Sequence, residues 1–348
     1  MTWHGIRGHD RLVEQFRRAL GRGRLATSFL FTGPAGIGKR TFALKLAQAM
    51  LCQARPEESL DPCDTCPSCS LALAGTHPDV DVVSRPADKA FIPVELLLGD
   101  REHRGREGLC HRIALKPYMG GRKIALIDDA DDLNAEGANC LLKILEEPPP
   151  RSVLILVGTS PARQLPTIRS RCQLVRFQPL AADVVAELLV TQGVVGDPVE
   201  ASRLARHAGG SLSRAVELAD PGLWTFRQLL FERLAAPALD SVGLAQAVGA
   251  FVDEAGKEAP ARRARLRQVA AFAADFYRQL LHAQSGAALP DDDQDRPVHA
   301  ASAPWSGDAA AALDRCLEAA AQIDRNANQA TLIEAWLDDL ATAGARRM

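Results

Sequence analysis

The stretch "SFLFTGPAGIGKRTFALKLAQAML", residues 28–51, constrains the fold more than any other. Its first five residues, Ser28–Thr32, alternate aromatic and aliphatic side chains and read as a short buried strand. A glycine turn follows, and a helix is expected over 39–51. In that order the three pieces aim backbone N–H groups and a helix N-terminus at phosphate oxygens. Gly33, Gly36 and Gly38 permit the tight turn, and Lys39 reaches the terminal phosphates. The next residue normally offers Mg²⁺ a hydroxyl, but here it is Arg40. That exchange deletes a metal ligand and sets a cation near the metal's place. At an effective dielectric of ~20, like charges in contact repel by several kcal/mol. Thr41, one residue further, points about 100° away on the helix. Efficient hydrolysis is therefore not expected.

Such a loop requires neighbouring parallel strands. Strands are predicted at 79–84, Lys123–Ile127, Ser152–Val157 and 173–177. An amphipathic helix is predicted at 10–20, with Leu12, Phe16 and Leu20 on one face, and helices are predicted between the strands, the clearest at 135–145, which stops at Pro148. Alternating strands and helices imply a parallel sheet covered on both faces. "KIALIDDAD" supplies the second half of a phosphate site: an apolar strand ending in Asp128, placed to hold a metal through water. Asp129 stands where hydrolysing proteins place a Glu that orients the attacking water, and it is one methylene shorter. Asp131 and Asp132 read as caps of the following helix.

The 348 residues carry 47% hydrophobic and 24% charged side chains with a net charge of −2, which fits a packed chain with no basic surplus for nucleic acid. The N-terminal sequence shows no secretion signal, and the longest apolar run, "VLILV" at 153–157, is far too short to cross a bilayer. A soluble, cytoplasmic protein with no membrane partner is expected. In that compartment clustered cysteines point to metal rather than disulfides. Cys52 precedes "CDTCPSC", which contributes Cys63, Cys66 and Cys69. Four thiolates with x2 spacings meet the tetrahedral demand of structural Zn²⁺. An iron–sulfur cluster and His77 as an alternative fourth ligand are the competing readings. Cys110, Cys140, Cys172 and Cys316 are scattered and read as small hydrophobes.

After residue 180 the strand signals stop. Residues 181–219 read as three short helices, broken near Gly193 to Pro198 and at Gly209 and Gly210. The remainder reads as helical, interrupted by a polar, Pro- and Asp-rich loop at 285–304. The N-terminal arginines Arg7, Arg11, Arg17, Arg18, Arg22 and Arg24 read as a solvated face of the first helix.

"GHDRLVEQFRRAL", the glycine loop, the cysteine cluster, "ANCLLKILEEPPP" and "LPTIRSRCQLVRFQPL" follow one another in this order. Together they resemble the AAA+ subunits of the bacterial DNA polymerase III clamp loader, from about residue 6 to 218. The "LEEPP" and "SRC" stretches are the most specific, and together with the cysteines they argue against an unrelated AAA+ regulator or helicase loader. The resemblance implies an α/β P-loop AAA+ domain over 1–180 with a zinc module at 52–69. It also implies a three-helix lid at 181–220 and an all-α collar domain at 221–348.

Of the two subunit types, the gamma/tau motor and the delta-prime stator, three departures favour the stator. They are Arg40, Asp129, and Ser213 at the place of the arginine that follows G-S-L in the motor. The absence of a long C-terminal extension points the same way. The resemblance further implies that Arg171 of "SRC" acts as an arginine finger on a neighbour's ATP, although by spacing alone Arg169 and Arg171 read as ordinary loop charges. Thr159 in "GTSP" matches the first sensor. The implied partners are gamma/tau and delta subunits, with the sliding clamp and primer–template DNA reached through the complex. Structural Zn²⁺ is the expected cofactor, and no productive Mg²⁺–ATP site is expected. An active gamma/tau-type ATPase is the alternative.

Overall fold

The structure, a computed structural model, describes residues 3–286, 297–298, 301, 305, 307–325 and 327–344. Two compact units divide it, Met1–Ala219 and Asp220–Met348. Most of the predicted loop at 285–304 lies outside the described residues.

The first unit begins with α1 (Asp10–Gly21), β1 (Ser28–Thr32), α2 (Lys39–Met50) and α3 (Pro67–Leu73). Next come β2 (Val80–Val83), α4 (Val94–Leu98), α5 (Gly108–Ala114), β3 (Lys123–Ile127) and α6 (Ala135–Glu146). β4 (Ser152–Val157), α7 (Pro166–Arg169) and β5 (Gln173–Arg176) complete the α/β part. The sheet runs β2–β3–β4–β1–β5, and every neighbouring pair is parallel. β1, β3 and β4 are buried along their whole length, whereas the edge strands β2 and β5 are partly exposed. Central parallel strands covered on both faces read as continuous apolar runs for this reason.

The period-2 alternation of "SFLFT" divides the core. Phe29 and Phe31 face a ring cluster with Phe16, Phe42 and Phe177. Leu30 faces the opposite, aliphatic layer with Ala125, Ile127, Leu141, Leu154 and Leu156.

α8 (Ala182–Thr191), α9 (Pro198–His207) and α10 (Leu212–Leu218) follow the sheet. Their boundaries come from local chemistry. Asp197 caps α9 through Val199 N–H, with Pro198 at its first position, and Ser211 caps α10 through Arg214 N–H.

The second unit has helices and no strand among its described residues: α11 (Pro221–Leu234), α12 (Ser241–Asp253), α13 (Ala259–Gln284), α14 (Ala309–Asp324) and α15 (Gln329–Gly344). Phe226 stacks on Phe251 at 4.0 Å between ring centres. Arg227, 1% exposed, lies 4.0 Å over the Phe231 ring and 3.7 Å from the Asp275 carboxylate, so its buried charge is met by both a π face and an anion.

Candidate functional site

The glycine loop joins β1 to α2 at the carboxyl end of the sheet. Gly33, Gly36 and Gly38 all have positive φ, at 148°, 73° and 89°. A side chain at Gly36 would collide with α10: an added Cβ would lie 2.3 Å from Ser211 Oγ. The closeness is functional in form, because Gly36 O accepts from Leu212 N–H at 2.9 Å and Ser213 N–H at 3.3 Å. The three-helix segment after the sheet is thus hydrogen-bonded onto the loop. Buried His9 braces it from the other side, its Nε2 2.8 Å from Ile37 O.

Lys39, 6% exposed, donates to Gly33 O at 2.7 Å and Pro34 O at 2.5 Å. Burial lowers its pKa from the usual lysine value, opposed by the charges of Asp131, Asp128 and Asp129. Arg40 Nη1 lies 3.5 Å from Asp128 Oδ2, with the Arg40 side chain 53% exposed. A cavity of about 410 Å³ lies between these groups. Arg40, Thr41, Asp128, Asp129, Thr159 and Ser213 are among its lining. Thr41 therefore borders the cavity in spite of its helical offset from Arg40.

Asp129 is in the left-handed region at φ 54°. Desolvation of its inner side and then the Asp128 charge push its carboxyl above the usual value. Asp131 and Asp132 do not cap α6, contrary to the sequence reading. Asn134 does that, accepting from Gly137 N–H at 2.7 Å. Asp131 instead accepts from Thr159 N–H at 2.7 Å, from the Thr159 hydroxyl and from Gln164 Nε2 at 2.8 Å. Gly158 admits this approach, since a Cβ there would lie 2.5 Å from Asp131 Oδ1. Asp132 pairs with Arg85 at 2.7 Å.

These residues do not fit a Mg²⁺-bound nucleotide. Mg²⁺ demands a near-octahedral set of oxygens at about 2.0–2.1 Å. Here the loop hydroxyl is absent, and a guanidinium is ion-paired to the carboxylate that would hold the metal's water.

Arg171 follows α7. Its Nη2 lies 2.7 Å from Glu146 Oε1 at the end of α6, and Nη1 donates to Thr167 O at 3.0 Å. The side chain stays 34% exposed. The "LEEPP" and "SRC" stretches thus meet in space: an acid of the first holds the arginine of the second.

Cys52, Cys63, Cys66 and Cys69 come together with all four sulfurs within 4.8 Å of one another. Cys63 and Cys69 sulfurs are 3.9 Å apart, close to the ~3.8 Å edge of a tetrahedron with Zn–S bonds of ~2.3 Å. That spacing suits one ion and leaves no room for a core of several irons. Backbone N–H groups of Thr65 and Cys66 bring the Cys63 thiol down to about 6. Burial drives Cys69 up to about 12 without a metal. The residues fit structural Zn²⁺, and the four cysteines would hold it. His77 is not among these ligands, because its ring nitrogens engage Ser68 Oγ at 2.9 Å and Asp79 N–H at 3.0 Å. Trp3 Nε1 donates to Leu60 O at 2.6 Å and His4 bonds Asp61 and Asp64, tying the N-terminus to this module.

Asp131, Arg85, His9 and the α10 contact were not found from sequence. Their partners lie far along the chain, and no local pattern marks them.

A parallel sheet in this order, with a glycine loop after β1, an acid after β3 and a helical segment hydrogen-bonded to the loop, defines a P-loop domain of the AAA+ type. A family profile described as "DNA polymerase III, delta subunit" matches residues 8–181, half of the chain. The chain belongs to that family. The DNA polymerase III subunit delta' of Pseudomonas aeruginosa is 36% identical over 204 residues, covering 58% of this chain and 58% of that protein. The Bacillus subtilis protein of the same name is 32% identical over 208 residues, covering 60% and 58%. The DNA polymerase III subunit gamma/tau of Mycobacterium tuberculosis is 32% identical over 212 residues, covering 59% of this chain and 34% of that protein. The matched stretch therefore spans less than two thirds of each relative. No helix among the described residues is long and apolar enough to cross a membrane.

Proposed function

We propose that this chain is a clamp-loader subunit of the delta-prime type, a stator that does not hydrolyse ATP itself. It works in the cytoplasm within a hetero-oligomeric ring with gamma/tau and delta subunits. The ring loads the sliding clamp onto primed DNA, and Arg171 serves as the finger on the ATP of the neighbouring motor. The α8–α10 segment acts as the lid, the helical unit from residue 221 as the collar, and Zn²⁺ on the four cysteines as a structural staple. The relatives named delta' support the subunit type. The observation that carries the non-hydrolysing part is the Arg40–Asp128 ion pair at 3.5 Å.

Purified alone with Mg²⁺–ATP, the chain is expected to show negligible turnover, and reconstitution with motor and delta subunits should restore clamp loading that fails without it. Turnover equal to a motor subunit's would remove the proposal. One observation favours a second reading, an active gamma/tau-type ATPase: Thr41 lines the cavity and could replace the missing hydroxyl. Under that reading Arg40→Thr changes turnover little and Thr41→Ala abolishes it.

A further inference from the structure

We propose that the cavity at the glycine loop binds a nucleoside di- or triphosphate in its metal-free form, with the Arg40 guanidinium standing where Mg²⁺ would stand in a hydrolysing site. This rests on the reading of the pocket as non-hydrolysing and is independent of which proteins share the ring.

The phosphate cradle itself is intact. The three glycines keep the positive φ values that a tight phosphate-binding turn requires. Lys39 Nζ is held on the loop's own carbonyls, Gly33 O and Pro34 O, contacts that a phosphate oxygen can replace without moving the backbone. The lid is already bonded to Gly36 O, so the cavity is preformed.

What has changed is the metal side. In a hydrolysing site a divalent ion links the phosphates to the acid after β3. Here Arg40 makes that link to Asp128 from the loop side. A guanidinium carries five N–H donors in a planar fork suited to phosphate. An ion pair at 3.5 Å occupies little of that capacity.

The acids around the cavity are also answered from within. Asp128 faces Arg40, Asp131 accepts three hydrogen bonds, and Asp132 holds Arg85. Burial and then the Asp128 charge raise the Asp129 pKa from the usual carboxylate value. A phosphate chain entering without metal meets Lys39 and Arg40 and no unanswered carboxylate apart from Asp129. A phosphate chain entering with Mg²⁺ brings a second cation against Arg40 and competes with it for Asp128. Mg²⁺ is therefore expected to weaken binding, the reverse of its usual effect. No aromatic side chain is among the residues lining the cavity, so recognition centres on the phosphates.

The test is calorimetric titration of the full chain with ATP, ADP and inorganic tripolyphosphate, each in EDTA and again in excess Mg²⁺. Saturable binding of ATP and ADP in EDTA is expected, with Kd rising several-fold once Mg²⁺ is added. Arg40→Thr, at an exposed position that leaves the fold intact by circular dichroism, should reverse the sign. It should lose about tenfold in EDTA, the worth of one charge-assisted hydrogen bond, and tighten with Mg²⁺. Wild-type binding that requires or improves with Mg²⁺, or no heat with nucleotide in EDTA, overturns the proposal. So does an Arg40→Thr protein with the wild-type Mg²⁺ response. Tripolyphosphate should bind in EDTA as well, because recognition centres on the phosphates, and its failure to bind where ATP does would overturn the assignment of the cavity to the phosphate chain. Failure of clamp loading in reconstitution bears on the assembly and not on this site.

Discussion

Replacing Asp131 by Ala removes the acceptor that holds Thr159 and Gln164. The carboxylate, 7% exposed, takes Thr159 N–H at 2.7 Å, Gln164 Nε2 at 2.8 Å and the Thr159 hydroxyl. Hydrogen bonds to a charged group are worth about 1.5–3 kcal/mol each. Thr159 is exposed, so water takes over its donors at small cost. Gln164 is 6% exposed, and its amide would be left unpaired at about 1–3 kcal/mol. Arg163, at 3.9 Å and mostly exposed, adds less than about 1 kcal/mol. The sum is a loss of about 2–5 kcal/mol from the unit spanning Met1–Ala219. Asp131→Asn keeps one acceptor oxygen and should cost about half as much. Urea unfolding by circular dichroism at unchanged m reads this directly. A loss under about 1 kcal/mol for Asp131→Ala, or an Asn variant as damaged as the Ala one, would refute the reasoning.

Gly36→Ala should loosen the contact between α10 and the loop, because its Cβ would meet Ser211 Oγ at 2.3 Å and its φ of 73° disfavours a side chain. Faster amide exchange over residues 211–218 with the sheet unchanged is expected, and equal exchange would contradict the contact. Asp129→Asn should be neutral or stabilising at pH 7. The raised carboxyl pKa means that ionised Asp129 costs stability above that value, a cost that disappears as pH falls into the ordinary carboxylate range. The advantage of Asn, which also tolerates the left-handed backbone, should therefore shrink on acidification, and a variant that loses stability at pH 7 would invert the sign. Metal analysis should find about one zinc per chain, with Cys69→Ser losing both the metal and the protease resistance of the segment around 52–69. Iron absorbance or metal-free protein of equal resistance would contradict the zinc assignment.

Much of the fold was readable because its signals are local. The breaks between α8, α9 and α10 fall where Gly193, Gly209 and Gly210 follow a helix end and Pro198 opens the next helix. β1, β3 and β4 are buried on both faces, so they stand out as apolar runs. Cys63, Cys66 and Cys69 converge as their x2 spacing suggests, and Cys52 just after α2 joins them. What escaped is made of contacts between distant residues. Asp131 looks like one more acid in "DDADD", and only the packing of β4 beside β3 brings Thr159 and Gln164 to it. Nothing around Gly36 announces that α10, more than 170 residues later, will bond to its carbonyl. Likewise the pairing of Arg171 with Glu146 follows from how α6 and α7 sit, which neither motif states alone.

The central claim is that this chain lends an arginine to a neighbour rather than burning ATP itself. The direct measurement is the clamp- and DNA-stimulated ATPase of a ring reconstituted with Arg171→Ala in this chain, against Arg169→Ala as a nearby control. A finger is worth roughly 10³–10⁵ in rate at the site it serves. Arg171→Ala should therefore remove the turnover of one interface while Arg169→Ala does not, with assembly of both rings unchanged by gel filtration. Equal ATPase in the Arg171→Ala and wild-type rings would contradict the account.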